Sequence, residues 1–345
     1  MTELLISLER ALALRDRGAL LVDARSPAEY AEATIPGAIN VPVLDDAERA
    51  EIGTLYKQVG RQVARLRGVE IVAPKIPALL AAVDAQRPPG LPVVVFCWRG
   101  GMRSRALTQF LELAGIPARQ LQGGHKVFRS LVCDFFERGE WGRLLVLRGL
   151  TGVGKTALLR RLAAEGSPVL DLEGLANHRG SAFGYLGLPP QPTQRMFEAL
   201  LWDALRRISP DGYALTEGES RHIGRVALPL RLHRALQEEV SIWIEAPLDA
   251  RIRNILADYP ARDSLRAQFA VPLRGLKERC GRQVVEEMLA LLERGAWEDL
   301  VRELMLRYYD PLYRHTFPAR RIEVSMESES VGLARLKAAI SAILE

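Results

Sequence analysis

The chain has 345 residues, 48% of them hydrophobic, with a net charge of +5 and a pI of about 9.2. That length predicts two domains with packed cores, and the basic excess favours polyanionic partners such as RNA. Composition argues against other classes: there is no 18-residue apolar run for a membrane span, Met1–Arg10 has no basic segment of a signal peptide, and three cysteines without a Cys-x-x-Cys pair fit neither a disulfide framework nor a zinc site. A cytoplasmic, reducing setting is expected, which suits a free thiol.

Leu20–Val22 reads as a short buried strand ending at Asp23. Ser26 with Glu29 three residues later makes a capping box, and Pro27 suits the first helical position. Ile39–Val43 reads as another strand, and alternating short strands and helices predict a parallel α/β sheet. Asp23 and Arg25 are read as holding loops in place. Residues 45–88 form an insertion in which Lys57, Arg61 and Arg65 recur every four residues, so a single helix would put them on one face. That face is either merely solvated or a contact for RNA phosphates.

Val93–Phe96 is an apolar strand that runs into Phe96-Cys-Trp-Arg-Gly-Gly-Met-Arg-Ser104. A helical pattern with Leu107, Phe110, Leu111 and Ala114 on one face follows, stopped by Gly115. Cys97 thus sits at a strand end, on a loop feeding a helix N-terminus. Backbone N–H groups of such a loop, Met102 included, favour a thiolate and hold an anion attached to it. Gly100 and Gly101 allow the tight turn, while Arg99, Arg103 and Arg105 add positive charge. A lone cysteine is ordinarily a small buried apolar residue; this context marks Cys97 as a nucleophile. The spacing Cys-x5-Arg fits sulfur or selenium transfer through a persulfide-type adduct, and it also fits phosphate-ester cleavage. Downstream, Gly123 and Gly124 let the backbone pass close to the cysteine loop, and Cys133 and Cys280 are read as non-catalytic.

Arg138–Gly142 reads as a linker and Leu144–Leu147 as a strand. Gly149-Leu-Thr-Gly-Val-Gly-Lys-Thr156 then satisfies Gly-x4-Gly-Lys-[Ser/Thr], and a helix with Leu158, Leu159, Leu162 and Ala163 follows it. Amides of Gly149, Thr151, Gly152, Val153 and Gly154 are expected to wrap phosphate oxygens. Lys155 adds a point charge and Thr156 is a magnesium ligand candidate. Such a loop recognises a diphosphate or triphosphate and not the group attached to it.

Val169–Leu172 ends in acids, Asp171 among them, and a polar loop with Asn177, His178 and Arg179 follows, where α/β sheets bind ligands. Tyr213–Thr216 runs into Glu217-Gly-Glu219-Ser-Arg221 at the position of a Walker B acid. Glu217 or Glu219 is expected to hold magnesium through water or to act as a base, with a solvated turn as the alternative. Arg221, Arg225, Arg231 and Arg234 follow with no acid among them and suit an anionic substrate. Ser241–Ala246 is a further core strand. The remainder is mostly helical, with Val284, Val285, Met288, Leu289 and Leu292 on one apolar face and Leu333, Leu336, Ile340 and Ile343 on another. Tyr308–His315 is an aromatic and basic patch, better read as core packing than as a base-stacking platform.

Asp23-x-Arg25-Ser-Pro-x-Glu29-Tyr30, Ile35-Pro-Gly-Ala-Ile-Asn-Val-Pro42, the Cys97 loop and Gly123-Gly124, in this order, resemble a rhodanese domain. One departure stands out: many rhodanese loops place the arginine one residue closer to the cysteine. The longer loop admits a larger anion and resembles that of Cdc25-type phosphatases. Gly53-Thr-Leu-Tyr-Lys-Gln-Val-Gly60, the cysteine loop, Asp171–Gly184 and Glu217-Gly-Glu-Ser-Arg-x-Ile-Gly224 extend the likeness over nearly the whole chain, which resembles the tRNA 2-selenouridine synthase family.

The resemblance implies an α/β protein: an N-terminal rhodanese-like parallel sheet domain over residues 1–137, and a P-loop NTPase-like α/β domain with a helical C-terminal part over residues 143–345. It implies a tRNA substrate carrying 2-thiouridine at the wobble position. The P-loop domain would transfer the geranyl group of geranyl diphosphate to that sulfur, and selenophosphate would then supply the selenium that displaces the geranylated thiol. Cys97 would be nucleophile or selenium carrier, with Arg99, Gly100, Gly101, Met102 and Arg103 as its anion-binding loop. Gly149–Thr156 would hold diphosphate, Glu219 or Glu217 would assist with metal or proton, and Asp171 is a further candidate. Lys57, Arg61, Arg65, His178, Arg179, Arg221 and Arg225 are the expected tRNA contacts. No tightly bound cofactor, protein metal site or membrane partner is expected, magnesium at most accompanying the diphosphate. The rival readings are an ATP-dependent sulfurtransferase acting on tRNA, a Cdc25-like phosphatase and a non-catalytic nucleotide sensor.

Overall fold

The computed structural model describes residues 4–260, 262–313, 318, 320–326 and 329–345. The chain divides into two compact units, Met1–Gly139 with Glu198–Asp203, and Glu140–Phe197 with Ala204–Glu345.

The first unit carries β1 (Leu5–Ile6), α1 (Leu8–Asp16), β2 (Leu21–Asp23), α2 (Pro27–Glu32), β3 (Ile39–Asn40), α3 (Asp46–Gln58), α4 (Arg61–Val72), α5 (Ile76–Asp84), β4 (Val93–Phe96), α6 (Met102–Leu113), β5 (Ala118–Leu121) and α7 (Gly124–Arg138). Its sheet is parallel, in the order β1-β5-β4-β2-β3. All four residues of β4 are buried, as befits a central strand covered on both faces. Cys97 leaves the end of that strand. Val22, Val93, Val95, Leu107 and Leu111 form the core, and the insertion adds Val72, Leu79 and Val83 to it. Full burial of each such side chain contributes about 1.5–3 kcal/mol.

Two expectations change here. β3 is only Ile39–Asn40, shorter than the predicted Ile39–Val43, because Pro42 has no N–H for a ladder. The basic residues of the insertion do not share a helix. Gly60, at φ +139°, breaks the chain between α3, which carries Lys57, and α4, which carries Arg61 and Arg65.

In the second unit the chain forms β6 (Arg143–Gly149), α8 (Lys155–Ala164), β7 (Val169–Leu170), α9 (Leu172–Ala176), α10 (Gln194–Leu205), of which Glu198–Asp203 belong to the first unit, β8 (Tyr213–Glu217), a hairpin of β9 (His222–Ile223) and β10 (Val226–Ala227), and α11 (Leu230–Glu238). β11 (Ser241–Glu245) and α12 (Leu248–Asp258) follow, then α13 (Arg266–Gly275), α14 (Lys277–Cys280), α15 (Arg282–Glu293), α16 (Trp297–Leu304), α17 (Asp310–Tyr313), β12 (Arg321–Ser325) and α18 (Glu329–Leu344). The sheet is again parallel, in the order β12-β11-β6-β8-β7, with the phosphate-loop strand in the middle. Leu333, Leu336 and Ile340 of α18 join the sheet core. Phe183 and Leu186 pack with Phe269, Leu273, Val285, Met288 and Leu292, so the polar loop after α9 is anchored by the helical region. Tyr308 and Tyr309 pack against that same cluster, in favour of the core reading of the aromatic patch; Arg314 and His315 lie outside the described residues. Among the described residues no helix is long and apolar enough to cross a membrane.

Candidate active sites

Cys97 is 3% exposed, and its sulfur lies beneath the loop rather than on the surface. The Gly101 N–H donates to Sγ at 3.2 Å, and Ser104 Oγ stands at the same distance. Gln120, on β5, donates from Nε2 to Ser104 Oγ at 3.0 Å and to the Gly100 carbonyl at 2.7 Å. The start of α7 takes two further loop carbonyls, His125 N–H donating to Cys97 O and Lys126 N–H to Trp98 O, at 2.8 and 2.9 Å. These bonds fix three loop carbonyls against β5 and α7, while the Gly101 N–H is turned toward the sulfur, where it favours negative charge. The close approach depends on Gly124: at φ +60°, a Cβ there would stand 2.2 Å from Cys97 O and 2.5 Å from Gly100 N.

Arg103 does not face a substrate alone. Its guanidinium is ion-paired with Glu29 of α2, Nη2 donating to Oε1 at 3.3 Å. Burial works against the charge of Arg103, but the Glu29 hydrogen bond and charge, with the nearby Cys97 and Asp23, keep it above its ordinary value. Burial likewise opposes the Glu29 carboxylate, and Arg103 together with the Ser26 N–H outweighs it, holding that carboxyl low. Arg99, Gly101 and Met102 are exposed, while Gly100 and Arg103 are half-buried. Asp23 and Arg25 are buried and paired at 2.6 Å, and Thr34 donates to Asp23 at 2.8 Å, so these two brace the strand ends.

The phosphate loop is shaped by glycines and by α12. At Gly149, φ +152°, a Cβ would lie 2.4 Å from Ile244 O; at Gly152, φ +82°, it would lie 2.7 Å from Arg251 O. Arg251 donates to Thr151 O and Asn254 to Gly152 O, each at 2.8 Å, and Arg251 is held by Asp310. Binding those carbonyls leaves N–H groups of the loop for a ligand, except that of Val153, which was expected to wrap phosphate but donates to Leu150 O at 3.4 Å and closes the turn. Lys155 donates to Gly149 O at 3.3 Å. Thr156 donates from Oγ1 to Glu173 Oε2 at 3.1 Å. These oxygens are hard donors of the kind magnesium takes, although among the described residues no three His, Cys, Asp or Glu side chains are grouped so as to hold a metal ion by themselves.

Three carboxyl groups gather beside the loop. Glu217, at the end of β8, accepts the Glu173 N–H at 2.8 Å through Oε1, and its buried Oε2 has no hydrogen-bond partner among the described residues. Burial, with the charges of Glu173 and Asp171, pushes Glu217 up to about 8. Burial and the charges of Glu173 and Glu217 raise Glu219 as well. Burial raises Glu173 against the pull of Lys155 and the Thr156 hydroxyl. A Cβ on Gly180 would stand 2.7 Å from Glu219 Oε2 and 2.9 Å from Glu173 Oε1, so the glycine marks where the two converge. Asp171 caps α9, its Oδ1 accepting the Gly174 N–H at 2.7 Å.

Likeness to known proteins decides the family. Residues 7–131 match the rhodanese-like domain and residues 142–338 match the tRNA 2-selenouridine synthase AAA domain. The tRNA 2-selenouridine synthase of Nitrosomonas europaea is 33% identical over 88% of this chain and 90% of its own. That of Chromohalobacter salexigens is 36% identical over 86% and 87%, and that of Pseudomonas syringae pv. tomato 34% identical over 91% and 93%. The chain belongs to the tRNA 2-selenouridine synthase family. Members of that family are tRNA-modifying transferases.

For a tRNA 2-selenouridine synthase the expected tRNA contacts divide by exposure. Lys57, Arg61, Arg65, Arg221 and Arg225 are exposed. Arg221 and Arg225 stand on the β9–β10 hairpin region, and after burial it is the charge of Arg221, Arg148 and His222 that lowers His233, a sign of dense positive charge there. His178 and Arg179 do not fit the expectation. His178 is 5% exposed, packed against Gly184 and Gly224, and burial lowers its pKa, so it is neutral and out of reach of a phosphate. Arg179 is half-buried, donates to Leu186 O at 2.8 Å and lies 4.5 Å from the centre of the Tyr259 ring. Both staple the polar loop from inside, because that loop is anchored on the helical core.

Glu29, Ser104, Gln120, Glu173, Arg251 and Asn254 escaped the sequence reading as site residues. Ser104 alone had a readable signal: it is the first inward position of α6, ahead of Leu107 and Leu111 on the buried face. Cys133 is exposed, and Cys280 is half-buried with its thiol pushed up by burial.

Proposed function

We propose that the chain converts wobble 2-thiouridine in tRNA to 2-selenouridine in two steps, geranylation of the sulfur followed by selenation. In the first step the thiouridine sulfur attacks C1 of geranyl diphosphate. The S–C bond forms, the C–O bond breaks, and diphosphate leaves with the electron pair. Its growing charge meets the amides of Gly152 and Gly154 and the Lys155 ammonium, which is where fixed donors lower a barrier most. Alkylation at sulfur makes the ring N3 proton acidic, so a base must take it. Glu219 is the base in this reading: it stands with Glu173 near the loop, and a carboxyl with a raised pKa accepts protons near neutral pH. Thr156, with Glu173 beside it, would hold a magnesium ion, which when bound neutralises part of the diphosphate charge.

In the second step Cys97 acts as nucleophile on selenophosphate. Attack by the thiolate on phosphorus forms an S–P bond, breaks the P–Se bond and releases hydrogen selenide. Selenium then adds to C2 of the geranylated base and geranyl thiol leaves, while water attacks the phosphorus, breaks the S–P bond, returns the cysteine thiol and releases phosphate. No oxidant is needed, whereas capturing selenium on sulfur directly would need one. The glycine loop held against β5 and α7 and the six-residue step from Cys97 to Arg103 suit a tetrahedral phosphoryl group.

The observation that carries the reading is the pairing, in one chain of this family, of a thiol cradle with a phosphate loop that has a proton-accepting carboxyl beside it. Mass spectrometry of nucleosides after incubating the protein with thiolated tRNA, geranyl diphosphate and selenophosphate tests it. Cys97→Ala should stop at the geranylated nucleoside, and Lys155→Ala should leave 2-thiouridine largely unchanged. Accumulation of 2-selenouridine without geranyl diphosphate would overturn the order of steps.

A further inference from the structure

The strand order places the carboxylates after β8 on one flank of β6 and leaves β11 and β12 on the other. On that second flank a cleft of about 340 Å³ opens at the strand ends. Leu150 and Val153 of the phosphate loop form one wall, and Trp243, Ile244, Ala246 and Pro247 form the other. Glu245 and Ser325 are the polar residues of its lining.

We propose that this cleft receives the hydrocarbon tail of the diphosphate ester, a short isoprenoid chain, and selects among allylic diphosphates by length. The inference rests on the geranyl-transfer reading and adds to it the residues that would read the transferred group. Three observations support it. The cleft shares two residues with the phosphate loop, so a group attached to a bound diphosphate reaches it directly. Six of its eight lining residues are apolar, and the carbonyls of Glu245 and Leu150 are already taken, by the N–H groups of Met326 at 2.8 Å and Val153 at 3.4 Å. A nucleobase buried there would lose hydrogen bonds to water and find few in return, whereas a hydrocarbon loses none. Finally, the volume lies near the lower end of the range for small-molecule sites, about 300–1,000 Å³, and has room for a short hydrocarbon chain.

The test uses the full chain and non-reacting thiolo analogues of dimethylallyl, geranyl and farnesyl diphosphate, with inorganic diphosphate and ATP as controls, all by calorimetry. Each methylene buried is worth roughly a fourfold gain in affinity. Wild-type affinity should therefore climb steeply from the five-carbon to the ten-carbon analogue. Ala246→Trp, which fills the cleft, should weaken the geranyl analogue by at least about tenfold and leave inorganic diphosphate unchanged. The length series needs no substitution, so it decides the matter even if that variant folds poorly. Length-independent affinity in the wild type, or a variant that loses ATP and keeps the geranyl analogue, would overturn the cleft's role. Failure of the wild type to geranylate thiolated tRNA at all would instead overturn the underlying reading.

Discussion

Glu29 and Arg103, 74 residues apart in the chain, form an ion pair whose partners are each about one-fifth exposed. The arginine of the cysteine loop is therefore held from the side by α2, and its direction is set before any substrate arrives. Glu29→Gln should weaken that hold and cost about 1–3 kcal/mol, since it leaves a partly buried guanidinium with a poorer partner. The pH dependence has a definite sign. The Glu29 carboxyl is held below its ordinary value of 4.5, so its contribution is present above 4.5 and is lost as pH falls through the lower, folded-state value. Urea unfolding at pH 7 should separate wild type from variant, and the gap should close under acid conditions.

Ser104 Oγ stands 3.2 Å from Cys97 Sγ and accepts from Gln120. Ser104→Ala removes the hydroxyl beside the sulfur, which donates to the Gly101 carbonyl at 3.3 Å and is free to rotate toward a thiolate formed in the reaction. Hydrogen bonds to charged groups are worth about 1.5–3 kcal/mol, so selenation should fall roughly ten- to a hundredfold while geranyl transfer is kept. Ser104→Thr, which retains the hydroxyl, should recover most of the loss. Equal loss in both variants would make the position a packing site only.

Gly124 and Gly37 separate clash from backbone strain. Both have positive φ, +60° and +82°, but a Cβ on Gly124 meets Cys97 O at 2.2 Å whereas one on Gly37 meets nothing within 4 Å. Strain alone costs on the order of 1–3 kcal/mol. Gly37→Ala should show that cost in thermal unfolding. Gly124→Ala should exceed it and also depress selenation, because the carbonyl it strikes belongs to the nucleophile itself.

Glu217 is pushed up to about 8 by burial and by its acidic neighbours. For a raised carboxyl the stabilising contribution is complete below its ordinary value of 4.5 and is lost as pH rises through about 8. Glu217→Gln should match wild type near pH 5 and be the more stable protein at pH 9 in denaturant titrations. Glu219→Gln should behave differently in catalysis: the wild-type geranylation rate should climb with pH as the carboxyl ionises, and the variant should be slow and nearly flat.

Much of this was legible in contiguous stretches. The cysteine loop and the phosphate loop each lie within nine consecutive residues, so strand, turn glycines and helix start could be read together. The supporting residues were not legible, because their partners are distant in sequence: Gln120 reaches the Gly100 carbonyl from β5, and Asn254 reaches Gly152 across 102 residues. Even within reach, period misled at Lys57, Arg61 and Arg65, where one glycine ends the helix that the spacing assumed.

Local order along the chain by itself determined the two parallel sheets, the thiol at the end of β4 and the phosphate loop at the end of β6, since strand ends and tight turns depend on near neighbours. Only the tertiary structure decided which charges are available. His178 and Arg179 read as free cations, but His178 is buried and Arg179 is held by the Leu186 carbonyl and the Tyr259 ring; Arg103 is bound to Glu29, and Glu173 stands beside Thr156. The physical reason is that a side chain's charge and reach depend on burial and on partners brought together by folding, and neither is written in the residue or its immediate neighbours.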